Sequence, residues 1–190
     1  MKNLEKEKFR KKDNHTLRTL TTDEQAQFIN WLINTPLTEC EYKNVYLLLL
    51  CMGLRVGEAL ALSTQDINLK KKELTVNGGI VKNAKGVFEY QRPILQNHIR
   101  TLKIPDFLYP YIEEQIHFSN NQKDNNNDIL FKSKKGGYID PSKLNIDLKR
   151  ILKNKFNITG ISTHALRYTF IVNNSLENKK AISKNIEHER

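Results

Sequence analysis

Apolar residues first recur at helical spacing after Thr21-Thr22-Asp23-Glu24, where Phe28, Ile29, Trp31 and Leu32 form one stripe that Pro36 stops. Thr21 can accept from the amide of the third helical residue while Glu24 reaches back, so a capped helix start is predicted. A second helix is predicted over 42–52. It is apolar nearly all round at 45–50, which places it in the core. Gly53 is positioned to end it in a left-handed conformation, and a short helix over 56–62 follows at once. The period then changes. Residues 69–76 and 87–95 read as two strands joined by a loop holding Gly78, Gly79, Lys82, Asn83, Lys85 and Gly86, and 99–104 as a third short strand. Pro105 suits the first turn of a helix running to residue 118. Residues 119–128, five of them asparagine, are expected to form a solvated loop. Residues 129–131 read as a short buried strand or turn, and Lys134-Lys135-Gly136-Gly137 as a basic turn. Pro141 opens a helix with Leu144, Leu148, Ile151 and Leu152 on one side, and a last helix covers 163–176. This order predicts a mixed α/β (α+β) fold, mainly helical with a small antiparallel sheet. Residues 1–17 read as a flexible basic lead, 18–176 as the domain and 177–190 as a polar tail.

Charge narrows the choice of partner. The 190 residues hold 31 Lys and Arg against 21 Asp and Glu, a net charge of +10. Seven basic and three acidic side chains lie within residues 1–20, so +6 belongs to the remainder. Such an excess attracts polyanions, nucleic acid first among them. No apolar run approaches the ~20 residues that span a bilayer, and the first residues lack the apolar stretch of a signal peptide. A cytoplasmic protein with no membrane partner is expected. Cys40 and Cys51 have no CxxC spacing and read as buried reduced thiols. The five histidines include no i, i+4 pair and have no cysteine nearby, so neither a metal site nor a cofactor is expected.

Two segments carry candidate chemistry. In Gly53-Leu54-Arg55-Val56-Gly57-Glu58-Ala59-Leu60, an arginine sits between apolar residues directly after a core helix. A guanidinium buried there is costly unless an anion meets it. Glu58 falls three residues on, where it can hold that guanidinium. Taken alone, the segment reads equally as an ordinary Arg–Glu pair stitching a helix junction. In Thr163-His164-Ala165-Leu166-Arg167-Tyr168-Thr169-Phe170, His164 and Arg167 project from one helical face near a helix start that favours anions. Taken alone, this is also what a solvated polar face looks like.

Together the segments resemble the tyrosine recombinase (phage integrase) family. The first is similar to its Gly-Leu-Arg-x-x-Glu box and the second to its His-x-Leu-Arg-x-Thr-Phe box, 112 residues apart from Arg55 to Arg167 with a small sheet between. Leu20-Thr21-Thr22-Asp23-Glu24 and Leu62-Ser63-Thr64-Gln65-Asp66-Ile67-Asn68 also resemble family segments, so the likeness runs from about Leu17 to Phe170. The resemblance implies the family's catalytic-domain fold and double-stranded DNA as partner, with other recombinase protomers as possible partners. It implies cleavage by attack of a tyrosine on a phosphodiester, giving a 3′-phosphotyrosyl link without a metal. On this reading Arg55 and Arg167 bind the non-bridging oxygens, Glu58 positions Arg55, and His164 donates to the phosphate or assists proton transfer. Lys82, Lys85, Arg100, Lys134 and Lys135 are the candidate DNA-contacting cations.

Two departures qualify that reading. The family's hairpin lysine belongs to a Pro-Lys-Thr-x-x-Ser-x-Arg segment, and here Pro93-Ile94-Leu95-Gln96-Asn97-His98-Ile99-Arg100 puts isoleucine in its place. The family's nucleophilic tyrosine follows the second box by several helices, whereas 23 residues follow Arg167 and only Tyr168 among them is a tyrosine. The expectation is a DNA-binding catalytic-domain fragment that does not complete cleavage alone, without the family's N-terminal clamping domain. A non-catalytic DNA-binding relic or regulator with the same fold is the second reading. A basic domain that binds RNA or protein is the third, and no aromatic-rich strand supports it.

Overall fold

A computed structural model describes residues 18–93, 99–121 and 128–174. Its framework is six helices: α1 (Thr22–Asn34), α2 (Lys43–Met52), α3 (Val56–Ala61), α4 (Tyr109–Asn121), α5 (Pro141–Phe156) and α6 (Thr163–Asn173). Among the described residues five short strands lie between α3 and α4: β1 (Ile67–Asn68), β2 (Glu73–Val76), β3 (Gly79–Lys82), β4 (Phe88–Gln91) and β5 (Arg100–Lys103). The mainly helical fold with a small antiparallel sheet is therefore as the sequence predicts.

The helices form where sequence and capping agree. The Glu24 amide donates to Thr21 Oγ1 at 3.1 Å and the Thr21 amide to Glu24 Oε2 at 3.0 Å, closing the capping box of α1. Phe28, Ile29 and Leu32 face inward, and the Phe28 ring stacks on Trp31 and meets Phe156 of α5 edge-on. In α2 every residue from Val45 to Leu50 is fully buried. The one hydroxyl in that stretch is satisfied: Tyr46 Oη donates to the Leu144 carbonyl at 2.9 Å. Helix α2 packs between α1 and α6. The Leu20 amide donates to Thr169 Oγ1 and Asn173 Nδ2 to the Leu20 carbonyl, tying the entry of α1 to α6. Cys40 is buried and Cys51 half-buried, both as free thiols, and burial pushes each up to about 12.

Several boundaries differ from the sequence expectation. The strand expected over 69–76 is shortened to 73–76, because 69–72 is a turn with Lys72 at φ 51°. Three consecutive lysines favour water, and the buried alternation begins only at Leu74 and Val76. Part of the expected glycine-rich loop is strand: β3 holds Ile80 against the core and pairs with β4, Ile80 opposite Tyr90 and Lys82 opposite Phe88. The true turn is shorter, Asn83 to Gly86, with Asn83 Oδ1 accepting from the Lys85 and Val87 amides. Strand β4 ends at Gln91, and residues 94–95 of the expected strand lie outside the described residues. Strands β1, β2 and β5 form a separate antiparallel sheet in which Val76 pairs with Arg100 and Glu73 with Lys103.

Pro105 introduces a 3-10 turn, Asp106–Leu108, before α4 begins at Tyr109. Helix α4 continues past residue 118. Ser119 is buried rather than solvated, because its hydroxyl donates to the Ile129 carbonyl at 2.8 Å. Helix α6 ends at Asn173, and Leu176 lies outside the described residues, as do the lead expected over 1–17 and the tail expected over 177–190.

Candidate functional site

Gly53 places the first box. At φ 64° it turns the chain out of α2, so that Arg55 becomes the N-cap of α3 and Glu58 lies one turn further along. Glu58 then folds back: its Oε2 accepts from the Arg55 amide at 2.8 Å and its Oε1 from Arg55 Nη1 at 2.9 Å. Arg55 is not the buried cation that its apolar neighbours predict. Its side chain is 61% exposed, because residue 55 starts a helix at the surface while Leu54 turns inward.

Two further guanidiniums reach the same carboxylate from distant parts of the chain. Arg100, on β5, grips it as a fork, Nη1 to Oε1 at 3.0 Å and Nη2 to Oε2 at 2.7 Å. Arg167, on α6, stands 3.9 Å from Glu58 Oε2 and donates through Nη1 to the Gly53 carbonyl. Glu58 is thus a hub, 12% exposed, among three arginines, which leaves a local charge of +2. Burial raises the Glu58 carboxyl. Hydrogen bonds from Arg100 and from the Arg55 amide and guanidinium, with the charge of Arg100, outweigh it and lower the group to about 2. The shortage of anions shows on the other side: burial and then the neighbouring charge of Arg55 push Arg167 below the usual arginine range, with Arg100 adding to the effect.

Arg55, Glu58 and Arg167, named from two separate boxes, therefore converge on one spot. Arg100 joins them. It was legible only as a basic residue at the end of the Pro93–Arg100 segment, because nothing local says that β5 runs beside β2 and aims its first residue at α3. His164 lies in the first turn of α6, three residues before Arg167, with its side chain exposed. Lys82 and Lys85 are exposed on the β3–β4 hairpin, where the Lys82 ammonium sits 5.7 Å from the centre of the Phe88 ring. That hairpin packs on α3 through β3. Lys134 and Lys135 occupy a turn that faces Gly86, Val87 and Phe88 of the hairpin across an open groove. Ile94 lies outside the described residues. Among the described residues no group of three His, Cys, Asp or Glu side chains is placed to hold a metal ion, and no helix is long and apolar enough to cross a membrane.

The chain belongs to the phage integrase family, whose family model matches residues 18–190. A tyrosine recombinase XerC-like protein of Caldanaerobacter subterraneus subsp. tengcongensis is 33% identical over 145 residues, 67% of this chain and 37% of that protein. The transposase from transposon Tn916 of Enterococcus faecalis is 24% identical over 187 residues, 93% of this chain and 46% of that protein. The chain thus spans less than half the length of these two relatives. Among solved structures, the Tn1549 transposon integrase in complex with transposon right end DNA superposes with a TM-score of 0.76 at 18% identity, covering 99% of this chain and 63% of that one. The XerA recombinase does so with a TM-score of 0.64 at 19% identity, covering 90% and 56%. These likenesses are to the fold.

Proposed function

We propose that this chain is a DNA-binding portion of the catalytic domain of a site-specific tyrosine recombinase and works on double-stranded DNA in the cytoplasm, alongside other recombinase protomers. The observation that carries the reading is the convergence of Arg55 and Arg167, from the family's two arginine boxes, on Glu58. Both guanidiniums keep donors beyond those used on Glu58 and Gly53, and a phosphodiester offers two non-bridging oxygens to receive them. When a tyrosyl oxygen attacks the phosphorus, the tyrosyl O–P bond forms as its proton is lost, and the bond to the 5′ oxygen breaks as that oxygen gains a proton, while the phosphorus stays on the 3′ oxygen. Negative charge grows on the non-bridging oxygens in between. Fixed guanidiniums stabilise that charge without reorganising. Glu58 fixes Arg55 for this task, and His164 supplies a donor to the phosphate or assists proton transfer. Lys82, Lys85, Lys134 and Lys135 contact the DNA backbone on either side. Relatives described as transposon transposases and solved complexes of a transposon integrase with DNA support mobile-element DNA as the substrate class.

Duplex binding by this chain is expected to be weak and to fall steeply with added salt, because phosphate contacts supply it. Arg55→Ala and Arg167→Ala should each weaken it by about three- to tenfold, the scale of one ordinary solvent-screened hydrogen bond, since the other phosphate contacts remain. Fluorescence anisotropy across a salt series checks this. Affinity that does not respond to salt or to either substitution removes the basis of the reading.

The 190 residues alone are expected to form no covalent adduct with a nicked suicide duplex. Of the seven tyrosines, Tyr46 is sealed in the core, its hydroxyl bonded to Leu144 and raised far above the usual range, first by burial. Tyr90 bonds the Asn77 carbonyl. Tyr42, Tyr109, Tyr111, Tyr138 and Tyr168 match no nucleophile position of the family. An adduct that vanishes on changing one of the seven to phenylalanine contradicts this. The second reading, a DNA-binding regulator without chemistry, is favoured by Ile94 at the lysine position. It predicts no adduct even when a protomer supplies a tyrosine.

A further inference from the structure

The fork of Arg100 on Glu58 raises a question that the two boxes do not answer. An anionic carboxylate beside two phosphate-binding guanidiniums competes with the phosphate for them. Glu58 is close enough to do so: its Oε1 already holds Arg55 Nη1 at 2.9 Å, and its Oε2 stands 3.9 Å from Arg167. Yet Arg167 stays at 3.9 Å, at the outer edge of an ion pair and beyond hydrogen-bond distance. Both carboxylate oxygens are occupied by Arg100, at 3.0 and 2.7 Å, in a paired geometry that uses both ends of the fork.

Resting on the phosphate-binding reading above, we infer that Arg100 is a positioning residue that saturates the Glu58 carboxylate, so that Glu58 orients Arg55 without withdrawing Arg55 and Arg167 from a bound phosphate. Three observations carry this. Arg100 is 32% exposed while Arg55 is 61% exposed, so the fork lies behind the surface that Arg55 presents. Arg100 is held by a strand rather than a loop: it pairs with Val76, and the next pair, Thr75 and Thr101, joins side-chain hydroxyls at 3.1 Å. Nothing else among the described contacts neutralises Glu58 from that side. Remove Arg100, and Oε2 keeps only the Arg55 amide, leaving Arg167 as the nearest cation able to close on it. Arg100 therefore acts on phosphate through Glu58, which separates it from Lys82, Lys85, Lys134 and Lys135 as a simple DNA-contacting cation.

The distinguishing measurement is a double-substitution cycle on affinity for a short mixed-sequence DNA duplex, using the full chain at fixed salt. Arg100→Gln is expected to weaken binding by about tenfold. Adding Glu58→Gln to it should recover about threefold or more, because the competing carboxylate is gone. In the unaltered background Glu58→Gln should instead weaken binding, because Arg55 loses the charge that orients it, so the Glu58→Gln step changes sign between the two backgrounds. Two results overturn the inference: Arg100→Gln leaving affinity unchanged, or the Glu58→Gln step being equal in both backgrounds, which would make Arg100 one more independent cation. If Arg100→Gln does not fold, Arg100→Lys replaces it under the same criterion, since a single ammonium cannot reproduce the fork. Arg55→Ala and Arg167→Ala run beside the cycle. If neither alters affinity, the phosphate-binding reading has failed. If both do and the cycle is additive, only the role of Arg100 has failed.

Discussion

Gly53→Ala is expected to destabilise the domain by roughly 2–4 kcal/mol, among the larger effects available to a single added methyl group. Two costs combine. Gly53 has φ 64°, and a side chain in that conformation costs roughly 1–2 kcal/mol. The added Cβ would also stand 2.6 Å from Cε1 of Phe170 and closer still to its Cδ1, so the ring or the turn must move. For a chain of this size, such a loss lowers the melting temperature by on the order of 5–10 °C. The position makes this more than a packing defect. The Gly53 carbonyl receives Arg167, and Arg55 caps α3 two residues later, so one turn sets both guanidiniums proposed to bind phosphate. Below its melting temperature the variant should therefore still bind DNA more weakly than the unaltered chain. Adding Phe170→Ala should relieve the steric part and leave the backbone part. Thermal unfolding followed by circular dichroism reads all three proteins. A Gly53→Ala protein that melts within about a degree of the original rules out the account.

That turn also shows where the sequence is informative. Gly53 after an all-apolar helix announces a left-handed helix end, because few residues other than glycine adopt that conformation readily. Thr21 with Glu24, and Pro141, announce helix starts for equally local reasons. The strands are harder. The alternation in β2 is only four residues long, and Lys70-Lys71-Lys72 before it carries no signal that tells a strand from a turn. In β3, the Gly78-Gly79 pair reads as loop although Ile80 and Val81 are good strand formers. Pairing of β3 with β4, and of β2 with β5, is a tertiary choice, made by which apolar side chains reach the helices. The site divides along the same line. Arg55 caps the short helix on which Glu58 is the third residue, so their contact follows from the geometry of a helix start. Arg167 is tied to them by likeness to a family, and the fold brings it there. Arg100 arrives only through strand register, which no local pattern encodes. The apolar neighbours of Arg55 predict burial, but an N-cap residue projects at a helix end, and the side chain is exposed.

Replacing Glu58 is expected to have an effect of similar size, with a pH dependence that identifies its cause. Glu58→Ala leaves Arg55, Arg100 and Arg167 facing one another without their shared anion, and Arg100 and Arg167 are only 32% and 24% exposed. Breaking one partner of a desolvated charge cluster is costly because the remaining charges stay where they are. After allowance for screening at the exposed Arg55, roughly 2–3 kcal/mol is expected. Glu58→Gln, which keeps the shape and some hydrogen bonding, should lose less. The sign with pH follows from the lowered carboxyl. Its value falls from 4.5 to about 2 in the folded protein, because the arginine hydrogen bonds outweigh burial. The stabilisation is therefore complete above about pH 5, declines as pH falls through the range from 4.5 to 2, and is absent below both values. Glu73 beside Lys103 and Asp106 beside Lys72 are also lowered, and their titration also erodes stability in acid. They titrate alike in the two proteins and cancel in the difference. Urea unfolding of the unaltered chain and of Glu58→Gln at a series of pH values should thus give a stability gap that is constant near neutrality and narrows steadily below pH 4.5. A gap that stays the same at pH 3 would mean that Glu58 stabilises the domain by packing or neutral hydrogen bonds, and that the three arginines are not organised by its charge.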